Sequence, residues 1–444
     1  MRRSSRWWNL AVLAVAVGTL QAGLGACAPA SGVHTAIEIR GSANCPVVPA
    51  GGGPVYLELL VRTDDIRRPE RRPVNLSVVL DRSGSMGSQQ KIENARAAVR
   101  ALIDQLQRGD FFSLVIYDEE VEVVCPSARV RNRERLRRIV DEISPRGWTN
   151  LGGGLIEGIR EAERHAREDY VNRVILLSDG LANRGITDPA RLGKLTARAA
   201  RHGISLTTMG VGWDFNENLM VSLAEEGGGN YYFIESPRDL ASVFRKEFDL
   251  MGDVVASAAV IELRLDIDVR VRDVIGYSFD HNGDRCSIPI GDLVAGEERS
   301  IIVELELPAG KGRKRLAAGS VSAGRSARSS SFTTSVAYAE DLARVEQERD
   351  LNVQARADVA LSTRQVEEAM AALDDGDEAE AQARLEAAQS SLERSAAVAA
   401  PGAAGELLQD QKDKLEDYKR SVSEEGRRAK KAIHYDNYRT QKKK

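Results

Sequence analysis

The sequence predicts an α/β protein. A doubly wound, mainly parallel sheet is inserted into an antiparallel β-sandwich and is followed by a helical C-terminal region. Three patterns carry this. From Pro73 to about Met251, continuous apolar runs alternate with amphipathic stretches, as expected of strands buried on both faces and separated by helices. On either side of that block, apolar and polar residues alternate with a period of two, the mark of strands with one wet face. Beyond about Tyr338, apolar residues recur at spacings of three and four. At 444 residues, 42% hydrophobic and 29% charged, the chain is long enough for two or three cores. A net charge of −4 gives no reason to expect a nucleic-acid partner.

In chain order, residues 1–27 read as an export signal. Arg2, Arg3 and Arg6 are basic, Trp7 to Leu24 is largely apolar, and Leu24, Gly25, Ala26 and Cys27 close the segment. This ending resembles the bacterial lipobox, which implies acylation at Cys27 and a membrane tether; cleavage near Ala28 or Ala30 is the alternative. An exported, envelope-bound location follows. Residues 33–72 hold strand-like Thr35–Arg40 and Val55–Arg62, the first strands of the sandwich. The central block, 73–251, carries the runs Val74–Leu80, Phe112–Tyr117, Val174–Leu177, Ile204–Val211 and Tyr231–Ile234. Val121–Val124 reads as an antiparallel edge strand. Residues 252–337 complete the sandwich with an unbroken alternation from Ile261 to Val271, then Ile301–Leu307 and Ser331–Val336. Asn282 and Gly283 form a tight hairpin turn there. A helical hairpin is expected over 338–395, a small-residue linker over 396–405, a charged helix over 406–432 and a solvated basic tail over 433–444. With Cys27 modified, Cys45, Cys125 and Cys286 remain. A disulfide between Cys45 and Cys286 is expected, since both fall in the sandwich.

The chemistry lies at Asp81, Ser83 and Ser85, alternate positions in a loop directly behind the buried run Val74–Leu80. Loops at the carboxyl ends of parallel strands are where open α/β sheets bind ligands. Two further segments supply matching oxygens: Thr149, just before a helix, and Asp179, at the end of the run from Val174. Hydroxyls and carboxylates are hard ligands, suited to Mg²⁺ first, or to Mn²⁺ or Ca²⁺. With few anionic ligands such an ion stays electron-poor and can accept a carboxylate from a partner. Serines behind a strand also cap helices or turns; an EF-hand is excluded because Ile92 stands where its bidentate glutamate belongs.

Asp81, Ser83, Ser85, Thr149 and Asp179 together resemble the metal-ion-dependent adhesion site of von Willebrand factor type A domains, over about residues 73 to 251. The resemblance implies that Ser83, Ser85 and Thr149 touch the ion directly, with Asp81 and Asp179 near it or acting through water. Trp148 stands where bacterial relatives often have glycine and is a candidate partner contact. The sandwich-flanked arrangement is similar to inter-α-trypsin inhibitor heavy chains and to a group of bacterial type A proteins. Five histidines without ligand spacing, and no nucleophile-elbow or phosphate-loop motif, point away from an enzyme. The expected function is metal-dependent binding of a protein that presents Asp or Glu. The alternative is an envelope scaffold acting mainly through its C-terminal helices, with a structural metal only.

Overall fold

The computed structural model describes residues 36–65, 71–323, 328–398 and 402–442; Cys27 and the rest of the expected export signal over 1–27 lie outside the described residues. The chain begins with β1 (Ala36–Ala43), β2 (Val47–Pro49) and β3 (Gly53–Thr63). It then builds an α/β domain from β4 (Val74–Asp81), α1 (Lys91–Gln105), β5 (Phe111–Tyr117), β6 (Val121–Arg129), α2 (Arg133–Asp141), α3 (Leu151–Glu163), β7 (Val171–Ser178), α4 (Pro189–Arg201), β8 (Ile204–Val211), α5 (Glu217–Glu226), β9 (Gly228–Ile234) and α6 (Leu240–Gly252). Its sheet has the order β6-β5-β4-β7-β8-β9, parallel except for the edge strand β6, which pairs antiparallel with β5. Every residue of β4, β5, β7 and β8 is buried, which explains the uninterrupted apolar runs. Helix α3 lies unusually close to this sheet. A methyl at Gly158 would meet Val79 Cγ2 at 2.2 Å, and one at Gly154 would meet Tyr117 Cδ1 at 2.6 Å.

The chain then returns to the sandwich through β10 (Val254–Leu265), β11 (Arg270–Val274), β12 (Asp280–Asn282), β13 (Arg285–Val294), β14 (Glu298–Leu307), β15 (Arg313–Ser322), β16 (Arg328–Ser329) and β17 (Ser331–Ala339). One sheet has the order β11-β14-β3-β1-β16 and the other β12-β13-β10-β15-β17-β2. They share one core that includes Ile39, Leu57, Leu59, Ile261, Ile288 and Val303. The α/β domain is thus inserted between β3 of one sheet and β10 of the other. The unbroken strand expected from Ile261 to Val271 is instead two. The chain turns a corner at 266–269, with Asp268 in the left-handed region (φ 66°), and β11 joins the opposite sheet. The alternation survives because each segment keeps one face inward.

Cys45 and Cys286 are free, buried thiols, not a disulfide. Cys286 lies in β13, paired across to Leu263 and His281, while Cys45 faces the helical region and accepts a hydrogen bond from Arg349 Nη1 at 3.4 Å.

The helical region comprises α7 (Leu342–Gln347), α8 (Leu351–Asp375), α9 (Glu378–Val398), α10 (Ala403–Glu425) and α11 (Lys430–Lys442). Gly376, left-handed at φ 82°, turns α8 into α9. The linker expected over 396–405 is largely helical where described, since its alanines favour helix. The charged helix expected to reach 432 breaks earlier, at Gly426.

Where it is described, over 433–442, the basic tail is packed against the rest of the chain. Helix α11 is wedged against all three other parts of the chain. Lys430 Nζ lies 2.9 Å from Glu217 and 2.5 Å from Asp374; Lys431 Nζ donates to Phe215 O at 2.6 Å and also pairs with Glu217. Tyr435 and Tyr438 both stand edge-on to Tyr231, with centroids 5.8 Å apart. Asn437 Nδ2 donates to Thr363 O at 3.0 Å, and Lys442 donates to Gly276 O in the sandwich. Long basic side chains bury their stems when their heads find acceptors, and here those acceptors are remote in sequence. No described helix is long and apolar enough to cross a membrane.

Candidate metal centre

Parallel pairing sets the rim. Asp81 stands opposite Tyr117 of β5, Leu80 opposite Leu177 of β7, and Ser178 opposite Gly210 of β8. The loops that follow β4 and β7 therefore emerge side by side. Behind β4 the chain makes a short helical turn, Gly84–Gly87, pinned by fully buried Met86. Gly84 N–H donates to Gly147 O at 3.1 Å and Arg146 N–H to Arg82 O at 2.7 Å, which ties this loop to the one carrying Thr149. Asp118 braces both. Its Oδ2 accepts from Arg82 Nε and Arg146 Nε, each at 2.7 Å, and its carbonyl accepts from Asn150 N–H at 2.7 Å. Burial opposes ionisation of Asp118, but the Glu120 amide and the two guanidinium groups hold its carboxyl below the ordinary range.

All five expected residues meet here. Ser83 Oγ and Ser85 Oγ are 3.1 Å apart, and Ser85 Oγ donates to Asp179 Oδ1 at 2.7 Å. A methyl placed on Gly180 would lie 3.6 Å from Ser85 Oγ and 3.7 Å from Thr149 Oγ1, so both hydroxyls border one spot and glycine keeps it open. Asp81 and Asp179 are wholly buried. Asp81 accepts from the Ser83 amide and the Ser178 hydroxyl, each at 2.8 Å. Burial, then the charge of Asp179, pushes its carboxyl up to about 6. Two buried carboxylates beside three hydroxyls form a hard-oxygen set that a small divalent cation would relieve, and Ser83, Ser85 and Thr149 with the two aspartates are the residues that would hold it. The donor set fits the ion.

Sequence reasoning missed Lys91, Ser178, Arg82 and Asp118. Asp118 and Ser178 end or follow strands at this same rim, a position that could have flagged them. Lys91, at the start of a helix, reads as an ordinary solvated charge, yet it is 2% exposed with Nζ 2.7 Å from Asp179 Oδ2. Around the rim stand Trp148, Leu181 and Trp213, 54%, 58% and 42% exposed. The Arg184 guanidinium lies 5.4 Å from the Trp148 ring centre.

Residues 75–246 match the family model of the von Willebrand factor type A domain. This segment of the chain is a von Willebrand factor type A domain, a class generally involved in protein–protein interaction and adhesion. The uncharacterized protein sll0103 of Synechocystis sp. is 28% identical over 261 residues, covering 56% of this chain and 61% of the relative. The uncharacterized protein YfbK of Escherichia coli is 30% identical over 251 residues, 54% and 43% of the two chains. Inter-alpha-trypsin inhibitor heavy chain H3 of Rattus norvegicus is 32% identical over 166 residues, 35% and 18%. The chain thus spans less than two thirds of each of these relatives. Among solved structures, a von Willebrand factor type A protein from Catenulispora acidiphila superposes with a TM-score of 0.68 at 20% identity, covering 86% of this chain and 89% of that one. The ArnB paralog VWA2 from Sulfolobus acidocaldarius gives 0.62 at 17% identity, covering 91% and 99%. These two likenesses are of fold, and they reach well beyond the inserted domain.

Proposed function

We propose that the chain is an exported, membrane-tethered binding protein whose rim captures an Asp or Glu of a protein partner through a divalent cation, Mg²⁺ by its oxygen donors. The observation that carries this is the convergence of three hydroxyls and two buried carboxylates from three separated loops on one side of a sheet. Trp148, Leu181 and Trp213 add exposed apolar area beside them, and large aromatic side chains at such positions supply much of the energy of protein interfaces. The reading assigns no catalytic step. The scaffold alternative loses ground because the inward side of α11 is already committed to this chain's own domains.

Thr149→Ala is the direct test. Thr149 Oγ1 makes no hydrogen bond among the described residues, so its loss should move the unfolding temperature in EDTA by no more than about 2 °C. Mg²⁺-dependent capture of a partner from envelope extract should vanish. Capture that persists both in EDTA and in the variant would overturn the proposal. The tether has its own check: Cys27→Ala should shift the protein from the membrane pellet to the soluble fraction.

A further inference from the structure

The four carboxylate oxygens at the rim are all occupied by donors of the chain itself. Asp81 Oδ1 takes the Ser83 amide and Oδ2 the Ser178 hydroxyl; Asp179 Oδ1 takes the Ser85 hydroxyl and Oδ2 the ammonium of Lys91. Three of these donors are neutral, and the fourth is a full positive charge. The side chain of Lys91 is 3% exposed, and its pairing with Asp179 at 2.7 Å is buried on both sides. Gly212, directly after β8, lies beside it: a methyl there would make ordinary contact with Nζ at 3.6 Å. A buried ammonium is tolerated only when paired and hydrogen-bonded, and its partner here is one of the two carboxylates expected to serve the cation.

We propose that Lys91 is the resident counter-charge of the rim. It holds Asp179 in position when no metal is present, and by like-charge repulsion it lowers the affinity of the rim for a divalent cation. Two consequences follow. The metal-free site stays folded and shaped, because Asp179 is never left as a bare buried charge. The cation also gains more from an additional anionic ligand than it would in a more acidic seat, so metal and a partner carboxylate favour each other's binding, reciprocally by linkage. This inference rests on the metal reading given above and assigns a tuning residue to that same site.

The test is a Mn²⁺ titration of the full-length protein, followed by loss of the free-Mn²⁺ paramagnetic resonance signal, together with thermal unfolding in EDTA and in Mn²⁺. Lys91→Met should unfold at lower temperature than wild type in EDTA, bind Mn²⁺ at least about tenfold more tightly, and show the larger Mn²⁺-induced rise in unfolding temperature. Lys91→Arg, which keeps the charge, should retain the weak binding of wild type. Lys91→Gln carries the same expectation as Lys91→Met and still offers Asp179 a hydrogen bond, which keeps the test open if the methionine variant fails to fold. Mn²⁺ binding by the neutral variants that equals or falls below that of wild type overturns the role of Lys91. If wild type and the neutral variants bind no more Mn²⁺ than Asp81→Ala does, the metal reading itself falls, and this inference with it.

Discussion

Arg173→Met should cost about 3–5 kcal/mol of stability, the largest loss expected from any single substitution considered for this chain. Arg173 on β7 is almost wholly buried and serves two domains at once. Nη1 donates to Glu247 Oε1 of α6 at 2.9 Å and to Thr207 Oγ1 at 2.8 Å, while Nη2 donates to Asp292 Oδ2 of the sandwich at 2.8 Å. Glu247 also accepts from Asn230 and Tyr232, and Asp292 from Ser205 and the Ala258 amide. Removing the guanidinium leaves two buried carboxylates facing each other without a cation. Urea denaturation measures the loss. The triple variant Arg173→Met, Glu247→Gln, Asp292→Asn should recover most of it, because breaking such a network is far worse than neutralising it whole. Mn²⁺ affinity should not change, since Ser178 lies five residues up the strand, about 17 Å away. A loss below about 1 kcal/mol for the single variant would show that the network does not hold the two domains together.

The second large effect concerns pH and the docking of α11. His434 is buried among Lys430, Lys431, Glu217 and Asp374. Burial first, and then the charge of Lys430, lowers its pKa from the ordinary 6.5 to about 4. The folded state therefore prefers the neutral imidazole. That contribution is fully present above pH 6.5 and is lost as pH falls toward 4, by about 2 kcal/mol at pH 5 and about 3 kcal/mol at pH 4. The stability of His434→Gln relative to wild type should improve steadily from pH 7 to pH 4.5. Parallel pH profiles for wild type and His434→Gln would mean that the imidazole is not confined as described.

The rim was legible in the sequence because its candidate ligands come as short patterns attached to unmistakable buried strands. Asp81, Ser83, Ser85, Thr149 and Asp179 were each readable from the few residues around them. Lys91 was not. A lysine beginning an amphipathic helix carries no local sign that its partner is Asp179, 88 residues further on. The same physics hid the fate of the tail. Lys430 and Lys431 look like solvent-facing charges until Glu217, more than two hundred residues earlier, is folded against them. Local pattern also concealed the corner at 266–269, because inward-facing residues alternate equally well on either side of a turn. Pairing Cys45 with Cys286 relied on shared membership of one sandwich, and that cannot tell which face, or which neighbour, each thiol meets.

The inserted topology has a mechanical consequence. The loops of the candidate metal centre occupy one pole of the domain, and both covalent connections leave from the opposite pole, one toward β3 and the other into β10. Under the proposed function, a tug on a captured partner would travel along the central strands and divide between two tethers that end in different sheets. Because the two sheets share one core, a load on either tether would be passed to the other, as in a double-stitched seam.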